Sequence, residues 1–469
     1  MPYTSISDID NLYYKQFAYK HTTKHSTAND RKRLLKKLLV RIQKAEHDIE
    51  KAIYLDFHKS SIETAITEFF PVQVELKHCI KHLENWMKDK SAGWSFKFTN
   101  IKAYLHYEAK GNALIITPWN YPFQLPMVHL TACIAAGNTA ILKLSEFTPH
   151  TNALIRSIIN DVFEESHVAI VEGGVEETTH LLQKKFDHIH FTGSPAVGKI
   201  VMEAASKHLT DITLELGGKS PAIIDKNVDV NKVVKNLIWA KFVNAGQTCI
   251  APDYLLVNKK LKIEIESAFK REVIAAFGEN AKHSPDYARI INEKQFDRLE
   301  SNLKDAQSLG GNIIVGGDTD RKECFISPTV ITNVPQTNPL FTEEIFGPIL
   351  PIIYFSQVSE ALDIINKKEK PLALYVFSND GIFNKHIINH TSAGSTCVND
   401  AMIQIMHPNL PFGGVNNSGI GQSTGWYGFK SFSHERAVAN SKIFPLSSLF
   451  WFPYREKTNK TLQWLKKIF

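Results

Sequence analysis

A chain of 469 residues with 43% apolar content is longer than one hydrophobic core usually supports, so two or three packed units are expected. The 54 basic and 48 acidic residues leave a formal charge of +6, spread along the chain without aromatic interleaving, which excludes nucleic acid as an expected partner. Five cysteines (Cys79, Cys133, Cys249, Cys324 and Cys397) lie far apart, with no CxxC and no His/Cys cluster at ligand spacing, so we expect no metal and a reduced, cytoplasmic setting.

The opening "MPYTSISDIDNLYYKQ" has neither the basic nor the apolar part of a secretory signal, and no apolar run of about 20 residues exists to span a membrane. Leu34, Leu35, Leu38, Ile42, Ile49 and Ile53 then recur at helical spacing, with Thr27 or Asp30 available as the cap. "SIETAITEFFPVQVELKHCIKHLENWM" predicts a second long helix. Residues 94–111 alternate apolar and polar side chains like the arms of a hairpin, an inserted ribbon of the kind that bridges subunits.

From Asn112 onward "ALIIT", "TAILKL", "HVAIVEG", "DHIHFTG" and "ITLELGG" alternate with helical stretches, the rhythm of a parallel, doubly wound α/β sheet that should bind a nucleotide. Ligands of such sheets sit beyond the carboxyl ends of the strands, so the residues after each apolar run form a site list. After the first run, Pro118 and Pro122 restrict the backbone around Asn120, whose amide can donate to an oxyanion or simply hold a turn. Lys143 and Glu146 follow the second run and suit the hydroxyls of an adenosine ribose, or equally a solvated strand exit. Gly193 and Ser194 precede a helix whose free N–H groups can face a pyrophosphate, although this is not GxGxxG. Glu215 lies on the opposite face from Ile212, Leu214 and Leu216, and taken alone it reads as a surface acid.

"NAGQTCI" sets Cys249 in a polar turn hinged by Gly246. A lone cysteine is more often a small hydrophobe than a nucleophile, and a helix ending just before it would disfavour a thiolate. Jointly, however, these residues supply a nucleophile, an oxyanion donor, a cofactor groove and a water activator, which is what oxidation of an aldehyde requires.

"TPWNYPFQLP", "FTGSPAVGK", "LELGGKSP", "NAGQTCIAPDY", "EEIFGPILP" and "LPFGGVNNSGIG", in this order, resemble the signature motifs of the aldehyde dehydrogenase superfamily. "PWNYP", "QTCIAPDY", "PLALYVFS" and "FSHERAV" resemble its class 3 branch of fatty- and aromatic-aldehyde dehydrogenases. "KLSE" and "EAKG" depart from the family's KPSE and EPKG, and neither departure removes a reacting group. The resemblance implies that Cys249 attacks the aldehyde, that Asn120 and the Cys249 N–H hold the oxyanion, and that Glu215 activates the hydrolytic water. It further implies cofactor contacts from Thr117, Pro118, Trp119, Lys143, Glu146, Gly193, Ser194, Leu216, Gly217, Glu344 and Phe346, and places Asn399 near the site.

NAD or NADP is implied as cofactor, with NAD favoured because the Glu146 carboxylate would repel a 2′-phosphate. The implied architecture is an NAD(P)-binding domain over 1–89 and 110–216, a catalytic domain over 217–402, and a β bridging element over 90–109 and 403–440 that pairs a homodimer. The tail, 441–469, falls outside the family pattern: Leu462, Leu465, Ile468 and Phe469 share a helical face edged by Lys460, Lys466 and Lys467, suited either to packing on the protein or to peripheral membrane contact. A thiol hydrolase using Cys249 with a histidine, and a non-catalytic protein that kept the fold, are the alternatives.

Overall fold

A computed structural model describes residues 3–95, 100–454 and 456–468. Its first helix, Ile6–Lys24, lies in the N-terminal quarter expected to be helical, with Ile9, Tyr13, Gln16 and Thr23 buried as a weak apolar stripe. In Ala28–Lys44 the Thr27 side chain accepts from the Asp30 N–H while Asp30 accepts from the Thr27 N–H, a reciprocal cap that fixes the start of the helix. Leu35, Leu38 and Ile42 are buried, as are Ile49 and Ile53 on the following helix Glu46–Phe57, whereas Leu34 only borders the core.

The expected second long helix runs from Ser61 to Trp86 with a π-helical turn at Ala65–Phe69. Within this wider turn the buried Glu68 pairs with Lys59 at 3.0 Å and accepts from the N–H groups of Phe123 and Gln124. A single carboxylate thereby anchors the start of the helix Gln124–Ala136, just after Asn120.

The five apolar runs form the strands Asn112–Ile116, Thr139–Lys143, Val168–Val171, His188–Gly193 and Asp211–Leu216, all parallel. A short antiparallel strand, Gly419–Ile420, completes a six-stranded sheet beside Asp211–Leu216. The chain winds outward in one direction from Asn112–Ile116, then returns to add His188–Gly193 on its other side. This switch opens a crevice beyond the carboxyl ends of those two strands.

A second sheet of seven strands runs from Asn312–Val315 to Ser395–Val398, parallel except at Asn312–Val315. Its core gathers Phe242, Leu255, Phe269, Phe296 and Tyr375, with Cys249 packed at the margin.

The ribbon differs from a hairpin confined to 94–111. The strand Ile101–Ala109 pairs on one side with Lys90–Ser91 and on the other, over nine residues, with Ser433–Ser441. Alternation reports a half-buried strand but not its partner, which here comes from more than 320 residues away. Residues 96–99 lie outside the described residues. No helix among the described residues is long and apolar enough to cross a membrane.

Candidate active site

Asn120 is buried in the turn after Asn112–Ile116, where its Nδ2 donates to the Gln247 carbonyl at 3.0 Å and its Oδ1 has no protein partner. The Asn244 amide returns the tie by donating to the Asn120 carbonyl at 2.8 Å, and the Tyr121 hydroxyl meets Thr248 Oγ1 at 2.5 Å. These contacts lock the turn of the first sheet to the loop carrying Cys249.

That loop leaves the helix Val230–Phe242 through a tight turn in which Asn244, Ala245 and Gly246 all have positive φ. A side chain at Gly246 would collide with the Gly347 carbonyl, so only glycine allows this approach. Cys249 is half-buried, and burial together with the charges of Glu344 and Glu215 pushes its thiol up to about 12. The expectation that the thiolate is disfavoured holds, for reasons of burial and charge.

Glu215 is no surface acid. It is 2% exposed, with Oε1 accepting from Ser423 Oγ and Oε2 accepting from Thr192 Oγ1 at 3.3 Å. His129 Nε2 lies 3.4 Å from Oε2 and His190 Nε2 3.8 Å from Oε1. Burial opposes its ionisation, but His129 and His190 outweigh that cost and hold the carboxyl well below the usual range. The ligating atoms of His129, His190 and Glu215 lie within 4.8 Å of one another, yet both Glu215 oxygens already accept hydrogen bonds from hydroxyls, and we read a buried polar cluster rather than a metal site.

Cys249, Glu215, Thr192 and Leu216 line one cavity of about 150 Å³, whose walls include Phe70, Val128, Trp239, Met402 and Phe412. A larger cavity of about 560 Å³ near Ile62 and Phe242 holds none of the candidate residues. The smaller one is therefore where the chemistry fits.

Lys143 and Glu146 stand at the end of Thr139–Lys143, 4.0 Å apart; the nearly buried ammonium also donates to the Leu144 carbonyl at 2.7 Å. Across from them Gly174 faces the Glu146 carboxylate and the Tyr3 hydroxyl, each 3.9 Å from where its Cβ would stand. Thr117 is buried and Pro118 half-buried on the same rim, where the Thr117 N–H donates to the Lys143 carbonyl at 3.1 Å. Ser194 caps the helix Pro195–Ser206, and a Cβ at Gly193 would strike the Phe191 ring. At the far end, a side chain at Gly217 would strike the Glu344 carboxylate, Leu216 packs under Gly198, and Phe346 meets Trp119 edge-on with centroids 5.4 Å apart. Burial and the neighbouring Asp253 push the Glu344 carboxyl up to about 8. The glycines at these strand ends, one ammonium and one carboxylate have the chemistry to hold a dinucleotide.

Asn399 instead holds the backbone of Ser378 through both ends of its amide. His129, His190, Thr192 and Ser423 were not singled out from the sequence. The alternation His188, His190, Thr192 in an otherwise apolar run was the available signal for two of them. The His129 and His190 imidazoles face the Glu215 carboxylate.

The description "Aldehyde dehydrogenase family" matches residues 2–438. The chain is 40% identical over 449 residues to the 4,4′-diaponeurosporen-aldehyde dehydrogenase of Staphylococcus aureus, covering 96% of this chain and 97% of that one. It is 44% identical over 395 residues to the aldehyde dehydrogenase family 3 member A2 of Macaca fascicularis, covering 84% and 80%. Among solved structures, the substrate-bound state of a Staphylococcus aureus AldH superposes with a TM-score of 0.93 at 39% identity, over 97% of this chain and 99% of that one. A PnpE in complex with nicotinamide adenine dinucleotide superposes with a TM-score of 0.86 at 25% identity, over 95% and 92%.

Proposed function

For a chain that belongs to the aldehyde dehydrogenase family, in its class 3-like branch, we propose that Cys249, Asn120 and Glu215 carry out the oxidation of an aldehyde to its carboxylic acid. The protein is an oxidoreductase acting on the aldehyde group with a nicotinamide cofactor. That identity supersedes the hydrolase and non-catalytic readings.

In the proposed mechanism the Cys249 thiol gives its proton to the Glu215 carboxylate in the same cavity, which releases it toward solvent; Sγ adds as thiolate to the aldehyde carbon, and the new oxyanion is held by the Asn120 amide and the Cys249 N–H. A bound nicotinamide supplies the hydride acceptor. Collapse of the oxyanion expels hydride and leaves a thioester on Cys249. Glu215 then takes a proton from water, whose oxygen attacks the thioester carbon; the C–S bond breaks and the acid departs. The single observation supporting these roles is that Cys249 and Glu215 open into one cavity, while Asn120 is hydrogen-bonded two residues before the thiol.

Lys143, Glu146, Gly193, Ser194, Leu216 and Gly217 would hold the adenosine and pyrophosphate half of the cofactor. Thr117, Pro118, Trp119, Glu344 and Phe346 would enclose the nicotinamide half. NAD is preferred over NADP in this reading, because a 2′-phosphate would meet the Glu146 carboxylate.

The walls of Phe70, Val128, Trp239, Met402 and Phe412 favour a medium- or long-chain aliphatic or an aromatic aldehyde. An aldehyde series assayed by NAD(P)H absorbance tests this: kcat/KM should climb with each methylene, by up to about 0.8 kcal/mol per buried CH2. A flat response from short to long chains contradicts it.

The proposal includes the domain division stated from the sequence and a cytoplasmic homodimer paired through the sheet that contains Ser433–Ser441. It also includes peripheral membrane contact by the tail, where Ile443, Trp451, Phe452, Tyr454 and Trp464 are exposed near Lys466 and Lys467. The tail helix spans Glu456–Ile468; Phe469 and the Ile468 side chain lie outside what is described. Co-flotation with anionic liposomes, lost on truncation at 441, is the expected result.

A further inference from the structure

Strands of a parallel sheet covered on both faces are normally apolar throughout. Two adjacent strands of the first sheet depart from this along one face. His188, His190 and Thr192 alternate on one strand and stand in register with Asp211, Thr213 and Glu215 on the next. Five of the six are buried, and only Asp211, at the opposite end from Glu215, reaches solvent, with its side chain 57% exposed.

The polar groups run the length of the strands, joined by hydrogen bonds at both ends and by register alone between His190 and Thr213. From Glu215 the neighbouring imidazoles are His129 at 3.4 Å and His190 at 3.8 Å, their rings 3.9 Å apart. Both nitrogens of His190 are buried with no hydrogen-bond partner. Thr213, its register partner, touches Ser431 Oγ at 2.6 Å and His188 Nε2 at 3.4 Å. His188 Nδ1 meets Asp211 Oδ2 at 2.7 Å, and Lys110 closes on the same carboxylate. The titratable or charged groups facing His190 are thus His129 from the adjoining helix, Glu215 from the next strand, His188 from its own and Lys110 beyond; Phe432 stacks on its other side.

We propose that this seam is a proton exit path from Glu215 to solvent, with His190 and His188 as relay residues and Asp211 as its mouth. The inference rests on the reading of Glu215 as base in thioester hydrolysis. Each turnover converts an aldehyde and water into an acid while the cofactor takes only hydride, so protons must leave a pocket closed by substrate and cofactor. The proton that Glu215 takes from water passes to the His190 or His129 imidazole, making an imidazolium. Rotation of the His190 ring, whose nitrogens are held by no hydrogen bond, carries the proton to the register-paired Thr213 hydroxyl; that hydroxyl passes its own proton to His188, which protonates Asp211, and Glu215 returns to its ionised form. His190 is held neutral, with its pKa at about 4, which suits brief occupation by a proton rather than storage.

The test follows the decay of the Cys249 acyl-enzyme by quenched-flow mass analysis in wild type, His190→Phe, His188→Gln, Asp211→Asn and Glu215→Gln. Phe is chosen because the His190 ring already stacks on Phe432, and Asp211→Asn alters only the solvent end. Relay loss should leave acyl-enzyme formation intact, slow its decay by about tenfold or more, change the solvent isotope effect, and make the decay depend on the concentration of small buffers. A purely structural role would move none of the last two. Unchanged decay, isotope effect and buffer dependence in folded His190→Phe and Asp211→Asn overturn the relay. If Glu215→Gln still traps the acyl-enzyme in that case, the base assignment survives; if Glu215→Gln decays like wild type, that assignment fails instead.

Discussion

The Asn120 side-chain amide donates to the carbonyl of Gln247 at 3.0 Å, tying the turn of the first sheet to the loop that presents Cys249. One Nδ2 hydrogen is held by this bond, and the other is available to an oxyanion. Asn120→Ala removes both. We expect acyl-enzyme formation to slow by about 10²–10³-fold, the usual cost of losing one oxyanion donor, with cofactor affinity little changed. A rapid-mixing measurement of the first NADH turnover checks this, and an unaltered burst rate contradicts it.

Glu215→Gln preserves the hydrogen-bonding shape of the side chain but removes its basicity. NADH should appear as a burst of about one per active site and then stall, because hydride departure precedes hydrolysis. A linear progress curve at the wild-type rate rules out the assigned role.

Glu344 gives a pH-dependent prediction for the thiol. With its carboxyl pushed up to about 8, Glu344 is mainly neutral near neutrality and becomes anionic above that value, where it opposes the Cys249 thiolate. Alkylation of Cys249 by iodoacetamide should therefore rise with pH in the wild type. Glu344→Gln should match it at about pH 6.5 and exceed it severalfold at about pH 9.5. Equal rates at the higher pH would show that the charge of Glu344 does not reach the sulfur.

Glu146 governs the choice of cofactor. Its carboxylate is half-buried beside Lys143, so Glu146→Ser leaves an unopposed cation at the ribose. The ratio of kcat/KM for NADP to that for NAD should rise at least about tenfold, a shift of about 1.4 kcal/mol. A constant ratio places the 2′ position elsewhere.

Acid sensitivity follows from the buried histidines. Burial pushes His190 and His167 down to about 4 and His188 to about 3, whereas in an unfolded chain they protonate near 6.5. Between these values the unfolded state binds more protons, so this contribution to stability is present above 6.5 and is lost as pH falls toward 4. The urea midpoint should drop between pH 7 and 5, and His190→Phe should make that drop smaller.

Asn112–Ile116, Thr139–Lys143 and Val168–Val171 were legible because parallel strands buried on both faces read as apolar runs, whereas in His188–Gly193 and Asp211–Leu216 the apolar residues alternate with buried polar ones. Thr27 and Asp30 were legible as a cap because capping is a local matter of three residues. The pairing of Ile101–Ala109 with Ser433–Ser441 was not, since alternation carries no information about a distant partner. At the site, Cys249, Glu215 and Asn120 stood out through their motifs. The environment of Glu215 did not: His129 and Ser423 reach it from a helix and a loop that only the folded chain brings together. Without them Glu215 reads as a surface acid, and with them it is a buried anion.

The chemistry turns on a covalent acyl bond to one particular thiol among the five cysteines. Glu215→Gln protein, mixed with a long-chain aldehyde and NAD, quenched in acid and digested, should carry the acyl mass on the peptide containing Cys249 and on none of those containing Cys79, Cys133, Cys324 or Cys397. Full NADH formation with no acyl mass on Cys249, or with that mass on another cysteine, would contradict the account.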